Sequence, residues 1–145
     1  MKKVFQKIID PQHGDCMQAV FASLFELQLE EVPAFIELGD KWWSEILKFI
    51  EQQNCSFKGY FHNGYDVIPE YHIKNVQCLT GVDGLFYAVV KSPKFHEQGG
   101  THAILVDKDC NIIHDPNPEY QNIKYPNSDE IGYNGVVEIW IIERN

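Results

Sequence analysis

Between Cys16 and Leu27 the chain reads CMQAVFASLFEL, a stretch that is apolar almost all round at the helical period. A helix without a polar face needs partners on every side, so this segment is expected at the buried centre of the fold, with the remainder layered around it. Ala19, Val20, Ala22, Ser23 and Leu24 give it good helix formers and small faces. The chain has 145 residues, enough for one domain over 1–145, and a domain of that size buries roughly 70% of the surface its unfolded chain exposes. No repeat, low-complexity tract or Pro/Gly/Ser-rich linker divides it.

Around that centre the pattern changes character. Val4 to Ile9 reads as a short edge strand, and Pro33 marks the start of a second helix, where proline is welcome in the first turn. Trp43, Ile46, Leu47 and Ile50 trace one face of a surface helix closing at Asn54. From there on, residues 85–90, 103–106, 112–113 and 136–142 are rich in β-branched and aromatic residues, with turn residues between them. Helices first and mostly strands afterwards predict an α+β fold, a central buried helix packed on a C-terminal antiparallel sheet.

The charge balance narrows the partners. A net charge of -9, with 21 acidic against 12 basic residues and no Lys/Arg cluster, would repel a nucleic-acid polymer. Gln6 and Lys7 break the opening apolar run well short of a signal-peptide core, and nothing later approaches a membrane span, which predicts a cytoplasmic protein without a membrane partner. Cys16, Cys55, Cys78 and Cys110 are far apart with no C-x-x-C, so they are read as thiols, three of them small buried hydrophobes. No cofactor is called for.

Cys16 is the exception, because it stands at the polar entrance of the apolar run. Asp15, followed at the third position by Gln18, is a capping-box pattern that makes Asp15 the N-cap and Cys16 the first helical residue. Unpaired N–H groups and the helix dipole there favour an anion, so the thiolate of Cys16 is expected to form more readily than that of an ordinary cysteine. A base for such a nucleophile lies in GGTHAILVDKDCNIIHDPNP. A two-residue loop at 108–109 or a four-residue loop at 107–110 pairs Val106 with Asn111, which sets residue 105 opposite 112 and His102 opposite Asp115. A carboxylate would then orient an imidazole at the sheet rim, where Pro116 ends the strand. A loop of three or five residues would break that pairing.

The other histidines rank lower. His114 neighbours Asp115 in sequence and so points to the opposite face, and His13 is close to Cys16 but on an exposed loop. His62, His72 and His96 have no partner pattern. KSPKFHEQGG, residues 91–100, is either a flap over the site or a long hairpin loop, and Tyr60, Phe61 and Tyr65 are either ligand-holding aromatics or core.

In the order Cys16, His102, Asp115 the chain resembles the papain-like cysteine peptidase superfamily, most nearly its small bacteriocin-processing domains. GDCMQA, THAILVD and HDPNP are also similar to small uncharacterised phage and bacterial proteins. The resemblance implies a papain-like fold and a hydrolase or transferase acting on amide, isopeptide or thioester bonds. It assigns Cys16 as nucleophile, His102 as general base and Asp115 as orienter. It also implies a glutamine that donates to the oxyanion. Gln12 matches by type but precedes Cys16 by four positions where papain uses six, and the Cys16 backbone N–H is a second donor. Substrates would be peptides, proteins or small molecules.

Two other readings stand beside it. A non-catalytic module of the same fold would hold a peptide or a small anionic metabolite at the helix N-terminus, as a phage counter-defence protein sequestering a nucleotide signal would. A zinc site built from Cys16, His102 and Asp115, with His13, uses allowed ligand types but has no local ligand pair.

Overall fold

The computed structural model describes residues 1–9, 14–63, 68–129 and 132–145. Two α-helices, α1 (Cys16–Phe25) and α2 (Trp42–Gln52), precede five strands: β1 (Cys55–His62), β2 (Phe86–Lys91), β3 (Thr101–Val106), β4 (Ile112–His114) and β5 (Val136–Arg144). The strands form one sheet in the order β1-β5-β2-β3-β4, and every neighbouring pair is antiparallel. This is the α+β arrangement expected from the change of periodicity. Among the described residues no helix is long and apolar enough to cross a membrane.

The all-round apolar helix lies where its composition demands. Ala19 to Leu24 are buried without interruption, and α1 packs on β3 and β2. Phe21 is fully buried, stacking on Tyr87 at 5.1 Å and meeting Phe35 and Phe49 edge-on at 5.8 Å each. Truncating such a ring to alanine costs about 3–5 kcal/mol. The helix stops at Phe25, two residues before the expected end, because Glu26 turns into the left-handed conformation at φ 58.

A second cluster covers the other face of the sheet, where Phe86, Ala88, Val90, Ile104, Val106, Ile139 and Ile141 meet Ile73, Val76 and Tyr125. Both faces are therefore dry, and the central strands read as nearly continuous apolar runs instead of alternating ones.

Three local expectations need correction. Val4 to Ile9 is no strand: its backbone groups bond to Ser23, Asp15 and Pro116, so they are satisfied without a ladder. The helix expected near Pro33 is a 3-10 stretch from Phe35 to Lys41, broken at Gly39 (φ 57, ψ -131), after which α2 begins. Strand β1 has no counterpart among the strands expected from sequence. Its alternation is interrupted by a register shift between Phe57 and Gly59, which removes the period-2 signal.

Candidate active site

Cys16 opens α1, half-buried, and Asp15 occupies the N-cap position without capping through its side chain. Its carboxylate instead accepts the backbone N–H groups of Lys7 (3.1 Å to both oxygens) and Ile8 (3.0 Å). Gln18 is equally diverted, its amide donating to the carbonyls of Leu29 and Val32 at 2.9 and 2.8 Å. The capping-box reading therefore fails. The chain before the helix brings N–H groups that need an acceptor, and a buried carboxylate serves them better than the helix it precedes.

His102 is the second residue of β3, and Asp115 lies one residue past the end of β4. Their side chains meet: Nε2 of His102 is 2.7 Å from Oδ1 of Asp115, and the two residues are 6% and 4% exposed. The route differs from the expected one. The β3–β4 connection, residues 107–111, is closed by Asp107 N–H donating to Asn111 O, which leaves a three-residue turn at 108–110, with Cys110 N–H donating to Asp107 O, both at 3.0 Å, and Cys110 left-handed at φ 61. Val106 consequently pairs with Ile112, and a bulge then sets Leu105 opposite His114. Residue 105 does not face 112. Continued pairing would place Asp115 opposite Ile104, so it reaches His102 diagonally, within the range of a long side chain.

Asp115 is saturated with donors. Beside His102, its Oδ1 accepts the Asn117 N–H at 2.8 Å, and its Oδ2 accepts the hydroxyl of buried Tyr125. Asn117, 1% exposed, in turn accepts the Glu119 N–H at 2.9 Å, and Gln121 donates to the carbonyls of Asp115 and Asn117. Tyr120 stands edge-on to the His102 ring at 5.4 Å. Neither Tyr125, Tyr120 nor Asn117 carries a spacing signal that sequence reasoning could have used.

With Nε2 engaged by Asp115, Nδ1 is the ring nitrogen left for the thiol. Burial pushes the His102 proton affinity down. The hydrogen bonds to Asp115 and to Cys16, and the negative charge both can carry, outweigh it and raise the pKa to about 9. Cys16 at the start of α1 and His102, paired with Asp115, border the same two hollows.

His114 takes a different part. It is 3% exposed, donates from Nε2 to the Val4 carbonyl at 2.7 Å and packs edge-on against Phe5, and burial lowers its pKa. Gln12, His13 and Tyr65 lie outside the described residues. Tyr60 and Phe61 sit on the edge strand β1. Residues 92–100 form the β2–β3 hairpin loop, closed by Ser92 N–H to Gly100 O at 3.0 Å. Cys55 and Cys110 are buried as expected, whereas Cys78 is exposed. Burial raises the Cys110 thiol to about 11, with Asp107 and Asp109 adding to it.

One residue without any signal in the sequence also borders the thiol. Gln6, 8% exposed, lines a cavity with Cys16, His102 and Asn117, and its Oε1 is buried with no hydrogen-bond partner among the described residues. Among the described residues no three His, Cys, Asp or Glu side chains are grouped to hold a metal ion.

No family model, no curated protein and no solved structure matches this chain.

Proposed function

We propose that the chain is a thiol hydrolase or acyltransferase of the papain-like kind, cleaving an amide, isopeptide or thioester bond. The observation that carries this reading is the His102 ring bonded to the buried Asp115 carboxylate and lining the same two hollows as the Cys16 thiol, with its pKa raised to about 9. A ring with a pKa of about 9 keeps a proton at neutral pH, so it holds the one taken from the thiol until the leaving group needs it.

In the proposed cycle the Cys16 thiol passes its proton to Nδ1 of His102, and the sulfur attacks the carbonyl carbon. The carbonyl oxygen becomes an oxyanion facing the Cys16 backbone N–H at the start of α1. When the tetrahedral intermediate collapses, the bond to the leaving group breaks, the imidazolium protonates the departing amine or thiol, and a thioester to Cys16 remains. Water, giving its proton to His102, then releases the acid and restores the thiol. An amine in place of water would make the same cycle a transfer. Asp115 keeps Nε2 in one tautomer and stabilises the imidazolium.

Iodoacetamide labelling at pH 6, read by peptide mass, tests the reading. Cys16 should be alkylated at least about tenfold faster than exposed Cys78, and His102→Ala should abolish the difference. Equal, slow labelling of Cys16 and Cys78 would refute the enzymatic reading and favour a non-catalytic cleft.

A further inference from the structure

Cys16 and His102 both line two neighbouring hollows of different size. The smaller, about 80 Å³, is bordered by Tyr120, which flanks the imidazole, and its wall mixes Gln6, Ser92 and Asn117 with Ile9, Ile36 and Phe95. A water takes about 30 Å³ in the liquid, so about two or three would fill it. The larger is a groove of about 430 Å³ that adjoins it at Cys16, His102 and Ile36. Ile36 and Trp42 form one bank, Tyr87, Val89 and Ala103 of the sheet form the other, and Met17 lies beside the sulfur. No Asp, Glu, Lys or Arg lines it among the described residues.

The groove has the size of a small-molecule site, which runs to about 300–1,000 Å³. Its outer bank is unusual for a protein surface, since Ile36 is 51% exposed and Trp42 41% exposed on the same rim. The left-handed turn at Gly39 lies between them and also borders the groove. Apolar side chains held open next to a nucleophile gain free energy when something apolar covers them.

We propose that this groove receives the acyl part of the substrate and that this part is an uncharged, apolar chain of about leucine or phenylalanine size. The inference rests on the thiol-hydrolase reading. The smaller hollow, which carries the polar side chains Gln6, Ser92 and Asn117, takes the leaving group, and the larger groove, lined by Met17, Trp42, Val89 and Ala103, is left for the acyl substituent. An anionic chain placed there would lose hydration and find no Lys or Arg, while His102, which also borders the groove, is already paired with Asp115.

Chloromethyl ketones, R–CO–CH2Cl, test this without a known substrate. Sγ of Cys16 bonds to the methylene carbon, chloride leaves with the bonding pair, the thiol proton passes through His102 to buffer, and R occupies the acyl side. Labelling rates of Cys16 are compared for chloroacetone, 1-chloro-4-methylpentan-2-one and 5-chloro-4-oxopentanoate, each normalised to its rate with N-acetylcysteine. The isobutyl ketone should exceed chloroacetone by about tenfold or more, the discrimination that added methylenes give in an apolar pocket. The carboxylate should be no faster than chloroacetone. Ile36→Asp and, separately, Trp42→Ala should bring the isobutyl-to-methyl ratio toward one. Both side chains are exposed, so at least one variant should keep the fold. A ratio near one in the parent protein, a preference for the carboxylate, or a ratio unchanged in both variants overturns the proposal. If chloroacetone labels Cys16 no faster than Cys78, it is the thiol-hydrolase reading that fails.

Discussion

Replacing Tyr125 by Phe removes a single oxygen atom from the layer beneath the candidate site, and the structure says what that oxygen does. The hydroxyl donates to Oδ2 of Asp115, while Oδ1 serves His102 and the Asn117 N–H. In Tyr125→Phe the ring and its packing stay, but a carboxylate oxygen of a 4%-exposed residue loses its donor among the described residues. A hydrogen bond to a charged group contributes about 1.5–3 kcal/mol, so the expected loss is about 2 kcal/mol, or roughly 6 °C in Tm for a chain of this length. Asp115→Asn completes a cycle, because it offers Tyr125 a neutral acceptor. Charged hydrogen bonds are about twice as strong as neutral ones, so in the Asp115→Asn background the tyrosine change should cost only about half as much, leaving a coupling of about 1 kcal/mol. Urea unfolding of the four proteins at pH 7, with m constant, measures it. A Tyr125→Phe effect below about 0.5 kcal/mol, within the scatter of ordinary surface substitutions, or a strictly additive cycle would refute the idea that Tyr125 holds the carboxylate.

Three further outcomes follow from other buried contacts. His114→Leu should cost about 1–2 kcal/mol through the lost bond to the Val4 carbonyl. Because burial lowers the His114 pKa from 6.5, the unfolded chain takes up this proton first, so the parent loses stability as pH falls below about 6.5; urea unfolding at pH 5 and 7 should show a shallower loss in the variant. Asp15→Asn should cost about 2 kcal/mol, since the oxygen shared by the Lys7 and Ile8 N–H groups loses its charge and an NH2 group takes the place of the second acceptor facing the Lys7 N–H, and both amide protons should exchange faster with solvent. Gly81→Ala should destabilise by about 2 kcal/mol or more, because φ is +62 and the new Cβ would lie 2.5 Å from the Leu85 carbonyl oxygen; a thermal melt within about 1 °C of the parent would contradict it.

What the sequence could reveal followed from patterns that tertiary contacts do not overrule. A helix apolar on all sides has one possible location, and the β-branched runs at 86–91, 101–106 and 136–144 have no better conformation than strand. Polar side chains are different, because each has several partners open to it. The Asp15 and Gln18 pair fits a capping box locally, yet Asp15 serves Lys7 and Ile8, and Gln18 serves Leu29 and Val32. Register was obscured by one residue: Cys110 adopts a left-handed conformation that favours Gly or Asn, which turns a loop of even length into one of three residues. Tyr125 was illegible for a simpler reason. It follows Asp115 by ten residues of irregular chain and meets it only through packing.

The segment Val4 to Ile8 supplies no reacting group, yet it governs whether the three candidate residues can meet. Apolar packing of α1 on β3 and β2 is non-directional, so it fixes the position of the helix on the sheet less sharply than hydrogen bonds do. Val4 is tied to α1 through Ser23 and to the end of β4 through His114, at 2.9 and 2.7 Å. Lys7 and Ile8 are tied to Asp15, immediately before Cys16, and the Gln6 N–H to the Pro116 carbonyl at 2.8 Å, immediately after Asp115. Five consecutive residues therefore cross-link the start of α1 to the turn that carries the Asp115 carboxylate. Their anchors are the sequence neighbours of Cys16 and Asp115, so the separation of sulfur and imidazole is set by this strap at least as much as by the core beneath it.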